Sequence, residues 1–325
     1  MIVPRHWAEG RVRHRSAERQ VTVRRFGWSD SSLAEAQAMA DARAAEALQR
    51  LLSGEKLPRR EPKVPYNGAQ GVPIREEIVS RHGAIIVTRN SYGARCLNTP
   101  DVLFADIDFE NEPSLRFSFA VFGVLLLLAI GAGWASHSRG LGIGLAILSM
   151  FVARGVSGLL FQAASKSSGG AERVARGRID AFLQHHPEWN LRLYRTPAGI
   201  RVLATHRTFD ANEPAVAECF RALHTDPVYI AMCLNQQCFR ARVSAKPWRI
   251  GIGAHMRPRP GVWPVAPERL AVRDAWIAAY EAAAASFAAC SLLESVGSGA
   301  VHPDVLPVQE LHDRLAAATT GLPIA

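Results

Sequence analysis

The stretch that decides the fold is the uncharged run at residues 117–135, FSFAVFGVLLLLAIGAGWA. A helix that crosses a bilayer needs roughly 20 apolar residues, because each adds about 1.5 Å and the hydrocarbon core is about 30 Å thick. The run meets this length, and residues 121–130 offer no polar face that a surface helix could turn to water. The alternative is a fully buried helix of a soluble protein. We predict a membrane-spanning helix here.

A second apolar run at residues 141–162 follows a short polar break, SHSRG, at residues 136–140. It contains Arg154, which costs about 2.5 to 3.5 kcal/mol near the bilayer centre, a cost that the apolar remainder can outweigh. Arg154 either snorkels to the interface or faces the partner helix or another subunit. We predict a two-helix transmembrane hairpin at residues 114–165. Its glycines permit close helix contacts and homo-oligomers; they are Gly131, Gly133, Gly140, Gly142, Gly144, Gly155 and Gly158.

Basic residues flank the outer ends of the two runs. Arg116 precedes the first run, whereas the connection between the runs carries only Arg139. The second run is followed by Lys166, Arg173, Arg176 and Arg178. Positive charge collects on the cytoplasmic side of membrane proteins. We therefore expect a multi-pass protein of the bacterial inner membrane, with both termini cytoplasmic and the lipid bilayer as its first partner.

The composition agrees with a membrane hairpin attached to a polar body. The chain has 325 residues, a net charge of +9 and a mean hydropathy of +0.01. Attraction to an anionic membrane surface explains the basic excess better than nucleic acid does. The five scattered cysteines are typical of reduced cytosolic thiols. The first seven residues lack the apolar core of a signal peptide, so we expect no cleaved leader.

The remaining sequence predicts an α+β cytoplasmic domain, with a ferredoxin-like or RRM-like sheet, assembled from both sides of the hairpin. We divide the chain into an N-terminal segment (1–65), a first domain part (66–113), the hairpin (114–165), a second domain part (166–260) and a helical C-terminal region (261–325). Residues 1–19 should be loosely ordered. Ser32 should cap a helix over 33–52, and Gly54 should end it. One long helix should cover 269–294.

Two carboxylates lie close together just before the hairpin, in the sequence LFADIDF at residues 103–109. Alternate residues of a strand share a face, so Asp106 and Asp108 should point the same way. Paired hard oxygen ligands suit a divalent cation, commonly Mg²⁺ with substrate phosphates. The alternative is that both acids pair with Arg from neighbouring strands.

Basic residues form two further candidate clusters. Arg195, Arg201, His206 and Arg207 surround a predicted β-hairpin; they could bind a phosphate, or they could neutralise Asp106 and Asp108. Arg240, Arg242, Lys246, Trp248 and Arg249 could bind a phosphate backbone or lie against lipid headgroups. Arg89 belongs to the pattern Arg89-x-x-x-Gly-x-Arg95, which occurs again as Arg195-x-x-x-Gly-x-Arg201. The repeat is due either to chance or to duplication of a strand-turn-strand unit.

The order of Asp106-Ile107-Asp108, the strand leading to His206, and Asp226 resembles the three motifs of archaeo-eukaryotic-type primase-polymerases. That family has an RRM-like fold. The resemblance implies that Asp106 and Asp108 bind metal, that His206 contacts a nucleotide phosphate and that Asp226 is the third acid. The hairpin between the first two motifs departs from the family. Asp226 before a proline also fits an ordinary helix start. More broadly, the chain is similar to bacterial membrane proteins of unknown function.

Two functions follow as hypotheses. The first is metal-dependent nucleotide binding or nucleotidyl transfer through Asp106 and Asp108, which would make Mg²⁺ the cofactor and a nucleotide or other phosphate compound the ligand. The second is a non-catalytic, membrane-associated interaction or scaffold protein in which the same acids form structural ion pairs.

Overall fold

The computed structural model describes residues 3–17, 20–61, 73–109, 112–167, 169–259, 261 and 263–325. The sequence also predicts turns at residues 66–68 and 71–73, and all of these residues except Pro73 lie outside the described ranges. The fold is α+β, as predicted, and the chain forms two compact units, one of residues 1–107 and 182–325 and the other of residues 108–181.

The strands are β1 (His6–Arg15), β2 (Gln20–Ser29), β3 (Glu77–His82), β4 (Ile85–Arg89), β5 (Arg95–Thr99), β6 (Phe104–Asp108), β7 (Asn190–Arg195), β8 (Gly199–Ala204), β9 (Phe239–Arg242) and β10 (Ser291–Gly297). The helices are α1 (Leu33–Leu52), α2 (Leu115–Ala135), α3 (Arg139–Ser167), α4 (Ala171–His185), α5 (Pro214–Ala222), α6 (Pro227–Gln236), α7 (Leu270–Ala284) and α8 (Leu306–Leu315).

The first part of the chain is a β-hairpin that packs against α1. The prediction that residues 1–19 are loosely ordered is wrong, because β1 pairs antiparallel with β2 from His6 opposite Ser29 to Arg15 opposite Gln20. The helix prediction is confirmed. The Ser32 hydroxyl accepts a hydrogen bond from the Glu35 amide at 3.1 Å, and Gly54 follows the C-cap with a φ of 97°.

Alanines on α1 allow its backbone to approach this hairpin closely. Ala36 and Ala40 are fully buried beneath the strands. A Cβ atom at Gly27 would overlap backbone atoms of Ala36 and Ala40, and one at Gly10 would overlap the Ala40 carbonyl. The two glycines therefore set the distance between the hairpin and the helix.

Two four-stranded sheets follow in the first unit, in the orders β3-β4-β5-β9 and β10-β7-β8-β6. Strand β9 is at one end of the first row and β6 at one end of the second. The ferredoxin-like or RRM-like sheet expected from the sequence stays a prediction.

The predicted long helix over 269–294 is wrong in its second half. Helix α7 ends at Ala284, and residues 291–297 form β10, which pairs antiparallel with β7. The pairing places Ser291 opposite Arg195 and Gly297 opposite Asn190, partners about a hundred positions away along the chain. Long-range pairing therefore overrides the local helical preference of the Ala-rich sequence.

The second unit contains the two apolar runs as helices α2 and α3. Both are long and apolar enough to cross a membrane, and only 6% and 17% of their most apolar windows are buried. A core helix of a soluble protein would bury most of its apolar side chains. Here many large ones are exposed, including Phe119 at 70%, Leu127 at 70% and Phe151 at 78%.

We expect Gly27→Ala to lower the free energy of unfolding of the first unit by about 2 kcal/mol, because the new methyl group must displace the α1 backbone. The matched control is Gly253→Ala, also in the first unit, where an added Cβ meets nothing within 4 Å and φ is not in the left-handed region. This change should be neutral or stabilising by up to about 1 kcal/mol. Chemical denaturation measures both variants, and equal stability for Gly27→Ala and the parent would contradict the packing described.

Candidate functional site

The candidate site is a buried charge network centred on Arg201 of β8. Its guanidinium is 3% exposed and binds both oxygens of Asp106, with Nε to Oδ1 at 2.8 Å and Nη2 to Oδ2 at 3.1 Å. The planar guanidinium of arginine is a preferred bidentate partner of a carboxylate, and Asp106 already has this partner. The side chain of Asp106 remains 37% exposed, so one edge of the carboxylate reaches solvent.

Arg201 also connects Asp106 to the last helix. Its Nη1 donates to the Arg242 carbonyl at 2.8 Å and lies 3.4 Å from Nε2 of His312. Because a guanidinium can only donate, Nε2 accepts and Nδ1 carries the ring proton. Nδ1 then donates to Oδ1 of Asp313 at 3.1 Å. The tautomer of His312 is therefore fixed by its two neighbours.

Two residues of β7 complete the network around Asp313. The Tyr194 hydroxyl donates to Oδ1 at 2.6 Å, and Nη2 of Arg192 donates to Oδ2 at 2.7 Å. Arg192 and Tyr194 share one face of β7, where Tyr194 lies opposite Arg201 of β8. The network thus joins residues of three strands, β6, β8 and β7, to two residues of α8.

Burial and charge act in opposite directions on the pKa values of these groups. Burial alone would raise the pKa of Asp106, but the charge and hydrogen bonds of Arg201, aided by Arg242, lower it below the ordinary value. The pKa of Asp313 is likewise lowered by its hydrogen bonds despite burial. Burial, with the charge of Arg201, lowers the pKa of His312. The site therefore holds ionised carboxylates beside a neutral imidazole.

Cys290, His312 and Asp313 follow the thiol, imidazole and carboxylate order of a nucleophilic triad. Its Sγ lies 3.9 Å from Nε2 of His312, whose other nitrogen faces Asp313. The thiol is completely buried, however, and burial raises its pKa to about 11. A reactive cysteine needs an accessible thiol and a lowered pKa. Cys290 is therefore a buried neighbour of the network and not a nucleophile.

Other arginines flagged in the sequence also lie in ion pairs inside the first unit. Nη2 of Arg240 binds Oε2 of Glu76 at 2.6 Å, and both side chains are at most 3% exposed. Nη1 of Arg89 binds Glu281 at 2.8 Å. Glu77, which lies 3.5 Å from Arg89, also binds Arg273 at 2.7 Å. These cations are already neutralised within the fold.

The remaining predicted site residues lie in different surroundings. His206 packs between Trp189 and Phe209, and its Nδ1 accepts from the Asn190 amide at 3.3 Å. His206 and Asp106 both belong to the described part of the chain, and no hydrogen bond or ion pair joins them. Burial lowers the pKa of His206. Asp226 caps α6 by accepting from the Val228 amide at 3.0 Å.

Arg242 lies beside the network, because its carbonyl accepts from Arg201 and its charge lowers the pKa of Asp106. No hydrogen bond or ion pair joins the remaining basic candidates to Asp106 among the described residues. Lys246 lies 5.4 Å from the ring centre of Trp248, which is exposed. Arg195 and Arg249 are half-buried. Asp108 is exposed at the end of β6 and falls in the second unit. The two Arg-Gly-Arg patterns also differ in register, because Arg89 pairs with Arg95 whereas Arg195 pairs with Ile200.

Among the described residues, no group of three or more His, Cys, Asp or Glu side chains is placed to hold a metal ion. The Mg²⁺ assignment to Asp106 and Asp108 stays a prediction. Five residues of the network were not predicted from the sequence: Tyr194, Arg192, Cys290, His312 and Asp313. One signal was present: His312 and Asp313 lie beside Val308 and Leu311, whose spacing is typical of the apolar face of a helix.

Comparisons with protein-family models, with curated proteins and with solved structures find no match to this chain.

Asp106→Asn should lower the free energy of unfolding by about 2 kcal/mol, because it leaves the Arg201 charge buried without its counter-ion. The effect is below that of a fully buried pair, since Asp106 is 37% exposed. The control is Asp108→Asn, a loss of the same charge at an exposed position, with an expected change under about 1 kcal/mol. Denaturant titration of both variants tests this; equal effects would contradict the structural role of the pair.

Stability should fall in two steps on acidification. His312 has a lowered pKa in the folded state, so the unfolded chain binds its proton first and stability declines below about pH 6.5. Asp106 and Asp313 also have lowered pKa values, so their contribution is complete above the unfolded carboxyl pKa and is lost below about pH 4. Unfolding measured from pH 8 to pH 3 should show a smaller first step in His312→Gln, with the remainder supplied by His206, whose pKa is also lowered by burial, and a smaller second step in Asp106→Asn. Unchanged profiles in both variants would contradict the assignment.

Proposed function

We propose that this protein is a two-pass protein of the bacterial inner membrane whose α+β body is a non-catalytic interaction module. One observation carries the membrane part of the proposal. Helices α2 and α3 expose large apolar side chains over most of their length, with only 6% and 17% of their most apolar windows buried. Exposed apolar surface on this scale is unfavourable in water and favourable in lipid.

The dimensions of the helices agree with a bilayer crossing. Helix α2 has 21 residues and is about 31 Å long, close to the hydrocarbon thickness of about 30 Å. Residues 136–138 separate the two helices, which is too short a segment to cross the membrane again. If both helices span the bilayer, their outer ends lie on the same side. Arg173, Arg176 and Arg178 then favour the cytoplasmic side for these ends.

The charge network supports an interaction module over an enzyme. Both oxygens of Asp106 are bound by Arg201, and Arg240 and Arg89 are bound by acids of the first unit. Side chains in such pairs would have to leave their partners before binding a metal or a phosphate, at the energetic cost of a buried unpaired charge. The ion pairs instead stabilise the body.

Mg²⁺-dependent nucleotide binding or nucleotidyl transfer through Asp106 and Asp108 is the competing proposal. It is favoured by the solvent-facing edge of Asp106 and by the exposure of Asp108 on the same strand. Isothermal titration of the detergent-solubilised protein with ATP, with and without Mg²⁺, separates the two. If the body is an interaction module, we expect no saturable binding of ATP. Micromolar binding that needs Mg²⁺ and is lost in Asp108→Asn would establish the competing proposal.

We expect the intact protein to stay with the membrane fraction after alkaline carbonate washing and to be released only by detergent. Leu127→Arg combined with Phe151→Arg should move much of it out of that fraction, because an arginine inside a membrane helix costs about 2.5 to 3.5 kcal/mol. The matched control is Leu115→Arg, an exposed leucine at the start of α2 where a charge reaches the interface. A protein found in the soluble fraction, with the double variant unchanged, would overturn the membrane proposal.

A further inference from the structure

The second unit contains a cavity of about 630 Å³ between the outer ends of α2 and α3. Phe119 and Phe122 of α2 and Met150 and Phe161 of α3 line its apolar part. Arg154 and Glu112 supply charge to the same lining. An apolar cavity with a few polar groups is the usual form of a site for a small ligand, and its volume suits part of a lipid molecule.

The two helices are in close contact beside the connecting turn and again next to the cavity. A Cβ atom added to Gly133 would lie 2.7 Å from the Gly142 Cα, so the helix backbones nearly touch beside the turn. The hydroxyl of Ser118, which lines the cavity, is hydrogen-bonded to the hydroxyl of Ser157 at 3.3 Å, and Ser157 is fully buried. The cavity therefore lies against a packed contact between the two helices.

Arg154 has no hydrogen-bond or ion-pair partner for its guanidinium among the described residues, although Glu112 lines the same cavity. Other arginines with acids nearby, such as Arg201 and Arg240, are paired. A guanidinium in or near hydrocarbon needs an anion or water, because an unpaired charge there is costly. A lipid headgroup phosphate is an anion that could pair with Arg154 in a membrane.

The position of Arg154 along α3 matches the depth of lipid phosphates. It lies 15 residues after Arg139, about 22 Å along the helix axis. If the turn between the helices lies at one surface of a bilayer about 30 Å thick, Arg154 is about 8 Å from the opposite surface, within reach of a long side chain that extends toward it. Its guanidinium then meets phosphodiesters while the apolar lining stays at the depth of acyl chains.

We propose that this cavity binds one phospholipid, with the phosphodiester on Arg154 and an acyl chain along Phe119, Phe122, Met150 and Phe161. The proposal rests on the membrane location proposed above. Arginine binds phosphate oxygens through paired N–H groups, and the rings and the thioether of Met150 complement an acyl chain in shape and polarity.

Native mass spectrometry of the detergent-purified full chain tests the phosphate contact. The parent should retain one molecule of phosphatidylglycerol or phosphatidylethanolamine, whereas Arg154→Leu should bind it at least about tenfold more weakly. Arg154→Lys should keep most of the affinity. Diacylglycerol, which lacks the phosphate, should bind the parent as weakly as phospholipid binds Arg154→Leu, and inorganic phosphate should not compete. The matched control, Arg116→Leu, removes an exposed charge from the start of α2 outside the cavity and should bind like the parent.

A pair of glycine variants tests the cavity itself. Gly158 lines it and Gly155 does not, yet an added Cβ meets nothing within 4 Å at either position. Gly158→Leu should therefore fill the groove and weaken lipid binding at least about fivefold, while Gly155→Leu leaves it unchanged.

Equal lipid binding by the parent and Arg154→Leu would overturn the proposal, as would an equal loss in Arg116→Leu. A dimer of the parent that Gly158→Leu converts to a monomer would show that a second copy of the chain fills the groove instead. If the protein fractionates with membranes but retains no lipid, only the lipid site fails. If it is soluble, the membrane location fails as well.

Discussion

Helices α2 and α3 have no polar face to turn to water, and their large apolar side chains stay exposed in the second unit. We propose that lipid surrounds them, because burial of apolar surface away from water is favourable. The backbone is suited to this surrounding, since each helix satisfies its own hydrogen bonds, which is the condition for a segment inside a bilayer. In this proposal the exposed leucines and phenylalanines contact acyl chains, and Arg154 in the middle of α3 needs an anion or water.

The first unit buries charged side chains inside its fold. Arg201 is held by Asp106 and His312, and Arg240 by Glu76, with each cation at most 3% exposed. Such pairs add little net stability compared with apolar packing, but breaking one leaves a buried charge alone. They also fix geometry: Asp106 and Arg201 lie on β6 and β8, and His312 lies on α8, so the network joins elements far apart along the chain.

Local signals in the sequence predicted the elements that depend on local physics. The Ser32 cap and Gly54 bounded α1, and hydrophobic runs located α2 and α3. Two strands were missed because they form through pairing with another strand. The sequence of β1 is typical of a basic tail, but β1 pairs with β2. The sequence of β10 follows an Ala-rich helical pattern, but β10 pairs with β7. For the candidate site, the sequence left open that Arg would neutralise Asp106, and Arg201 does so from 95 positions away. His312 was missed because its role arises only from the contact of α8 with β8.

If the exposed faces of α2 and α3 contact lipid, as we propose, a spin label attached there should be accessible to oxygen and shielded from water-soluble reagents. A nitroxide attached to cysteine at Leu128, which is 64% exposed, can be compared with one at an exposed residue of the first unit such as Val301. The native cysteines are all buried and do not compete for the label. In liposomes, the account predicts that oxygen relaxes the Leu128 label strongly and a water-soluble nickel chelate hardly at all, with the reverse at Val301. Strong relaxation of the Leu128 label by the nickel chelate would place α2 in water and contradict the account.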